Sequence, residues 1–551
     1  MGLLKESIDA QKLRGGYYTP KEIANFLSNW AIQPDVKRIL EPSCGDGIFI
    51  ETAILRLKEI GFNDKKISDL IKGVELIGTE AIKAQARAKR LGVNPNIIVN
   101  SDFFDYLKSN GEIKFDVVLG NPPFIRYQNF PEEHRVLAIE MMKKLGLKPN
   151  KLTNIWVPFL TISSSLLTDK GKLGMVIPAE LFQVKYAAET RMFLSEFFQR
   201  ITIITFRKLV FQGVQQEIVL LLCEKQVNNH RGIRVIECKN IDDVNDINFA
   251  AINGSHVKSI DHNSDKWTKY FLSQKEIDLL KRLKNDPRVI SCNDIMDVDV
   301  GIVTGRNEFF MMKKDLVNEW NLKNYTRPVI SRSNQLKGIE FYQNDFNINS
   351  NAQYATHLFV PPDVNFEDLP LDCKKYIEYG ESKNFHKGYK CRIRKKWYIT
   401  PTLWIPDAFA LRQVADYPKI ILNDTEASST DTIHRVRFKD GVDGQLVAMS
   451  FINSLSFAFS EIVGRSYGGG VLTFEPTEIE EIQIPSLENL NIDFNEIDQL
   501  IRQRKIEQAL DIVDNALLIQ KHGFTKEEVN RLRGIWKKLS KRRATRKKSK
   551  N

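Results

Sequence analysis

The sequence predicts an α/β protein built on a mostly parallel, doubly wound sheet, and three observations carry the prediction. Apolar runs recur at 38–42, 74–79, 97–101, 115–119, 173–178, 200–206 and 217–223. Helical patterns such as 81–91 and 187–198 fall between them, and strands alternating with helices build a sheet through parallel crossovers. The last two runs are joined by a polar loop too short for a crossover helix, so they are expected to pair antiparallel at the sheet edge.

The early strands each end in a residue suited to a ligand. The first run leads into Glu41-Pro42-Ser43-Cys44-Gly45-Asp46-Gly47 and an apolar helix. Small residues there let backbone approach a ligand, and the helix start beyond favours a carboxylate. The dinucleotide fingerprint is excluded, because the third glycine is missing. The second run is read to end at Glu80, whose carboxylate suits ribose hydroxyls. The third ends at Asp102, which can accept an exocyclic adenine N–H.

The fourth run, 115–120, closes in Asn121-Pro122-Pro123-Phe124. Ligands of open α/β sheets lie just beyond the carboxyl ends of strands. There the Asn121 side-chain carbonyl and the Pro122 main-chain carbonyl suit the two N–H groups of an exocyclic amine. Accepting both draws the lone pair out of ring conjugation and makes the amine a nucleophile. Alone, the tetrapeptide is equally a rigid turn. Turn chemistry does not account for four such strand ends in succession.

Together these residues resemble the S-adenosylmethionine-dependent amino-methyltransferases of DNA, in particular the gamma-class adenine-N6 enzymes such as the TaqI methyltransferase. The resemblance begins at Gly15-Gly16-Tyr17-Tyr18-Thr19-Pro20, similar to the family's N-terminal cofactor motif. It continues in family order through Glu41 to Gly47, Glu80, Asp102 and Asn121 to Phe124. The stretch 55–72 is longer than the family pattern expects. Residues 173–179 look like the fifth strand, and Lys208-Leu209-Val210-Phe211-Gln212-Gly213-Val214 like the loop whose Phe stacks on a flipped adenine.

The resemblance implies a Rossmann-like methyltransferase sheet with an antiparallel last strand. It also implies S-adenosylmethionine as cofactor, double-stranded DNA as substrate, and catalytic roles for Asn121, Pro122, Phe124 and Phe211. Cofactor contacts are expected from Tyr18, Thr19, Glu41, Pro42, Cys44, Gly45, Asp46, Glu80, Asp102, Phe103 and Asn121. No metal is expected, because a sulfonium is already an activated methyl donor. A separate restriction endonuclease acting at the same site is a possible partner.

A chain of 551 residues is too long for one core. The expected division is a catalytic domain at 1–230, a mixed α/β target-recognition domain at 231–490, and C-terminal helices with a basic tail at 491–551. No apolar stretch approaches a membrane span, and the first residues show no signal pattern. The six cysteines form no C-x-x-C pair and the eight histidines show no ligand spacing. A reduced cytoplasm without structural zinc is the reading.

Residues 531–550 hold eleven Lys/Arg and no acid, as many charges as the whole net charge of +11. The remaining chain is formally neutral, so bulk charge does not mark the folded body as a nucleic-acid binder. The tail reads equally as a phosphate tracker or a solvated end. Within the body, residues 386–398 carry six Lys/Arg, three aromatics and no acid, a mixture suited to phosphate contacts or to a charged strand face. Arg392, Arg394, Lys395 and Lys396 are the expected phosphate contacts. Arg306 and Arg465, in glycine-rich turns at 301–310 and 464–472, are further DNA candidates.

Toward the C-terminus, apolar positions from Ile497 to Leu518 form a helical face that His522-Gly523 stops, and Thr525-x-x-Glu528 starts another helix. Three rival functions have some support. Pro362-Asp363 and Glu381-Ser382-Lys383 loosely match a nuclease PD…ExK pattern. Methylation of a protein glutamine or an RNA base uses related Asn-Pro-Pro motifs. A binding module without catalysis leaves the cofactor and amine motifs unexplained.

Overall fold

The computed structural model describes residues 18–545, apart from positions 112, 127–128, 130, 151–152, 209, 211–216, 229, 250–255, 264, 402 and 467–468. The chain forms two compact units, Met1–Gln274 and Lys275–Asn551.

Eight strands build the sheet of the first unit: β1 (Ile39–Glu41), β2 (Ile71–Glu75), β3 (Ile98–Asn100), β4 (Phe115–Gly120), β5 (Leu167–Pro178), β6 (Arg200–Phe206), β7 (Ile218–Glu224) and β8 (Gly232–Cys238). Their order is β3-β2-β1-β4-β5-β7-β6-β8. Strands β1 to β5 are parallel. As the short loop requires, β7 runs antiparallel to both β5 and β6. Every residue of β6 is buried, which explains why its sequence is apolar without alternation.

Helices cover the sheet: α1 (Lys21–Ala31), α2 (Ile48–Glu59), α3 (Asp64–Leu70), α4 (Gly78–Arg90), α5 (Phe103–Asn110), α6 (Glu132–Lys144), α7 (Trp156–Ser165) and α8 (Ala188–Phe197). Ile23, Phe26 and Leu27 of α1 join Ile50, Ile54 and Leu57 of α2 in one core cluster. Each such side chain contributes about 1.5–3 kcal/mol by leaving water. Strand order reverses between β1 and β4, which opens the crevice where ligands of this sheet type bind.

Three details differ from expectation. Strand β2 ends at Glu75, five residues before Glu80, because the Glu75 carboxylate accepts the N–H of Ile77 and turns the chain. Leu76 is then exposed, and Glu80 falls in the first turn of α4. The long stretch 55–72 holds the end of α2 and an added helix, α3, whose start is capped by the Asn63 side chain. Strand β8 pairs with β6, so the sheet continues past the boundary expected at 230 and the unit reaches Gln274.

The second unit contains a five-stranded sheet in the order Met296–Asp299, Ile433–Phe438, Ala408–Leu411, Ile420–Asp424, Glu340–Tyr342. A four-stranded sheet joins Met311–Met312, His357–Phe359, Thr326–Ile330 and Ser428–Ser429. An aromatic cluster centres on Phe309, whose ring lies 4.8 Å from Tyr376 and 4.6 Å from Trp397. The C-terminal helices belong to this unit: Arg502, in helix Phe494–Arg502, bonds Asp345. Thr525 and Glu528 form the expected capping box of helix Lys526–Ala544. No single helix among the described residues is long and apolar enough to cross a membrane.

Candidate active site

The crevice at the β1/β4 reversal gathers four of the motifs. Gly120, ending β4, neighbours the end of β1: a Cβ there would touch Pro42 at 3.5 Å and the Glu41 side chain at 3.8 Å. Asn121 follows, and its Nδ2 donates to Thr19 Oγ1 at 3.1 Å. That bond orients the amide so that Oδ1 is its acceptor end. On the other side, Ser43 Oγ donates to the Asn121 main-chain carbonyl at 3.5 Å. Pro122 is buried, and Phe124 packs at the margin of the core.

Behind this turn stands the glycine-rich loop after β1. Gly47 has φ +86°, and a Cβ on it would come 2.8 Å from Ala84 of α4, so only glycine permits this approach. Gly45 donates its N–H to Glu75 Oε2 at 2.7 Å. Asp46 is held by Arg87 at 2.5 Å, and the same guanidinium reaches Glu51 at 2.6 Å. Lys21 and Arg90 also pair with Glu51. Cys44 is buried.

Two buried carboxyl groups, Glu41 and Glu75, stand at the strand ends. Burial, with Asp46 and Glu75 nearby, holds the Glu41 carboxyl well above the usual carboxylate range. Its Oε2 is buried with no hydrogen-bond partner among the described residues, an expensive state that a positive ligand relieves. Burial also pushes Glu75 upward, opposed by the N–H groups of Ile77 and Gly45. S-adenosylmethionine carries a sulfonium and an ammonium against one carboxylate, so its net positive charge fits this acidic crevice.

The third-strand residues lie beside it. Asp102 caps α5, with Oδ1 accepting from Phe104 and Asp105 N–H. Its Oδ2 faces His134 Nδ1 at 3.5 Å, and Asp105 Oδ2 is 3.4 Å from the same nitrogen. Burial raises the Asp102 carboxyl, countered by those N–H groups and by His134. Phe103 is buried and stacks on Phe159 at 5.3 Å. Among the described residues, Asp102, Asp105 and His134 form the one group of three side chains spaced to hold a metal ion. Phe211 lies outside the described residues.

Glu80 sits apart from the strand ends. Tyr18 donates its hydroxyl to Glu80 at 3.1 Å and Lys83 approaches the same carboxylate at 2.6 Å. The strand-end carboxylate is Glu75, which sequence reading passed over because the apolar pair Leu76-Ile77 prolonged the run. Arg87 was missed as well, since nothing in its spacing betrays a link to Asp46 and Glu51 about 40 residues earlier.

Comparison with known proteins identifies the family. The family model "Eco57I restriction-modification methylase" matches residues 50–211, and "Type II methyltransferase M.Eco57I, C-terminal domain" matches residues 264–518. Among curated relatives, the Type II methyltransferase M.AccI of Acinetobacter calcoaceticus is 23% identical, covering 86% of each chain. M.XamI of Xanthomonas campestris pv. amaranthicola is 21% identical, covering 87% of this chain and 86% of its own. The chain belongs to the Type II DNA methyltransferases. The Type IIL restriction-modification enzyme MmeI, solved in complex with DNA, shares the fold at a TM-score of 0.59 and 12% identity, covering 95% of this chain and 75% of its own.

In the second unit of this methyltransferase, most cations chosen from the sequence are already engaged. Arg465 pairs with Glu478 at 2.8 Å. Lys396 pairs with Asp363 at 2.6 Å and donates to the Val364 carbonyl. Arg394 donates to the Val303 carbonyl at 2.7 Å and lies 5.6 Å from the Phe310 ring. Arg306 sits 5.5 Å from Phe385 and 3.6 Å from Glu308. Arg392 and Lys395 are exposed and make no ion pair among the described residues.

The 386–398 stretch is not a strand face. It comprises a 3₁₀ turn, Phe385–Lys387, and a helical turn, Tyr389–Arg392. The nuclease-like residues are also occupied: Asp363 by Lys396, and Glu381 by Trp397 Nε1 at 3.0 Å. Part of the basic tail is core. Arg543 is 2% exposed, pairs with Glu461, and donates to the carbonyls of Ala415 and Gly470.

Proposed function

We propose that this methyltransferase transfers a methyl group from S-adenosylmethionine to N6 of an adenine swung out of double-stranded DNA. The observation that carries the reading is the junction of Thr19, Ser43 and Asn121 beside the buried acids Glu41 and Glu75. When bound, S-adenosylmethionine supplies a methyl group activated by its sulfonium.

The chain's own residues do the rest. Glu41 and Asp46 favour the cofactor's positive charge, Glu75 accepts its ribose hydroxyls, and the second oxygen of Asp102 accepts its adenine amine. Tyr18 and Thr19 border the methionine end. Asn121 Oδ1 and the Pro122 carbonyl accept the two N–H groups of the target amine and turn its lone pair toward the methyl group. Phe124 and Phe211 hold the extruded ring, each stacking contact contributing roughly 1–3 kcal/mol against a few kcal/mol for unstacking and unpairing. The second unit selects the DNA sequence, with Arg392 and Lys395 on phosphates. A restriction endonuclease cutting the same site is the expected companion.

The test is to express the protein in cells lacking DNA methylation and identify the modified base by mass spectrometry and sequencing. N6-methyladenine at one recurring site is expected. N4-methylcytosine, or methyl on protein or RNA with none on DNA, sinks the reading.

A further inference from the structure

From Lys383 to Lys396 the chain carries seven Lys/Arg and no acid. Its middle is pinned on one side. Cys391 is fully buried and Tyr398 nearly so. Trp397 packs on Phe309 and Arg394 is tied to the Val303 carbonyl. The neighbouring loop presses close: a Cβ on Gly305, at φ +82°, would lie 2.7 Å from Lys390 Cβ.

The outer side is different. Tyr389 is 66% exposed and Ile393 60% exposed. The Ile393 N–H donates to the Tyr389 carbonyl at 3.3 Å, which puts the two large apolar side chains one helical turn apart on the same face. Lys387, Lys390, Arg392 and Lys395 are exposed around them without an ion pair among the described residues. Two bulky apolar groups held up by a fixed turn, ringed by uncompensated cations, match the chemistry of duplex DNA: a stack of apolar faces between two rows of phosphates.

We infer that Tyr389 and Ile393 form a wedge that inserts between base pairs of the bound duplex, while Lys387, Lys390, Arg392 and Lys395 grip the phosphates on either side. The inference rests on the DNA-methyltransferase reading. Apolar insertion unstacks a base step and kinks the helix. Because the wedge itself releases no counterions, its contribution is independent of salt, whereas that of the cations is not.

The experiment uses the full chain and a duplex bearing its methylation site, labelled at both ends for energy transfer. Tyr389→Ala with Ile393→Ala should weaken binding about tenfold, leave the salt slope of affinity unchanged, and straighten the bound DNA. Lys387→Gln with Lys390→Gln should lower the salt slope yet keep the bend. Tyr389→Phe with Ile393→Leu should restore both affinity and bend. If the double alanine variant melts early, Tyr389→Ser alone is scored by the same criteria. Unchanged affinity and bend, with methylation of DNA intact, overturn the wedge and leave the methyltransferase reading standing. Loss of self-association by light scattering with DNA bending intact also overturns it, assigning the face to a second copy of the chain. If the wild-type protein methylates no DNA, the underlying reading fails and the wedge with it.

Discussion

At the β1/β4 reversal, residues far apart in sequence gather around one turn and face the same crevice, whereas in the second unit four of the six cations chosen for DNA are held by the protein itself. The difference lies in what each set of residues needs in order to function. Strand-end groups are aimed by the sheet, whose parallel order places Glu41, Glu75 and Asn121 at the same edge whatever their side chains do. A surface cation has no such guide, and a long flexible side chain takes the nearest carboxylate or carbonyl. Motif residues in a parallel sheet therefore carry positional information, while composition in a recognition domain carries little.

The sharpest way to break the comparison is at the chemical step. Asn121→Ala removes the amine acceptor while leaving the sheet intact, and single-turnover methylation should fall by about 10²–10³-fold, on the scale of losing one oriented polar group from an active site. Cofactor binding should survive. Near-normal turnover would falsify the role of the β4 end.

Next in size is the exchange of Glu80 for Glu75. Glu75→Ala deletes a buried acceptor that also fixes the Gly45 loop, so calorimetry should record cofactor affinity about 10- to 100-fold weaker. Glu80→Ala breaks only a partly exposed set of contacts with Tyr18 and Lys83, and its effect should stay within about twofold. A larger loss for Glu80 reverses the assignment.

In the second unit, Arg392→Gln with Lys395→Gln should reduce the salt slope of DNA binding by about 0.9 per phosphate contact. Arg465→Gln should leave that slope alone and instead lower folding stability by about 1–3 kcal/mol, because the buried Glu478 loses its ion pair with Arg465 and keeps neutral partners such as the Glu475 N–H. Equal salt effects from both changes would mean that engagement in the protein does not withdraw a cation from DNA.

The smallest effect concerns pH. The folded Glu41 carboxyl lies above its unfolded value, so its contribution favours folding below the ordinary carboxylate range and is lost as pH rises through the raised value. Glu41→Gln should flatten this dependence, raise the cofactor-free melting temperature by about 2–4 °C at neutral pH, and weaken cofactor binding. Parallel melting curves with and without cofactor check both signs.

The doubly wound sheet, the antiparallel pairing of β6 with β7, the β4 turn and the capped C-terminal helix were all legible in the sequence, because periodicity and local turn chemistry encode them within a few residues, whereas β8 beyond β6 takes the edge expected for that hairpin. Tertiary structure alone decided that Glu75 rather than Glu80 joins the loop after β1, since the bond that ties it there comes from Gly45, 30 residues away. It alone showed that Arg87 braces the loop after β1 and that Arg543, in the most basic segment of the chain, lies in the core beside Glu461. A carboxylate or guanidinium acts according to the partners within about 3 Å of it; for side chains 30 or more residues apart in sequence, those partners are set by packing and leave no local pattern to read.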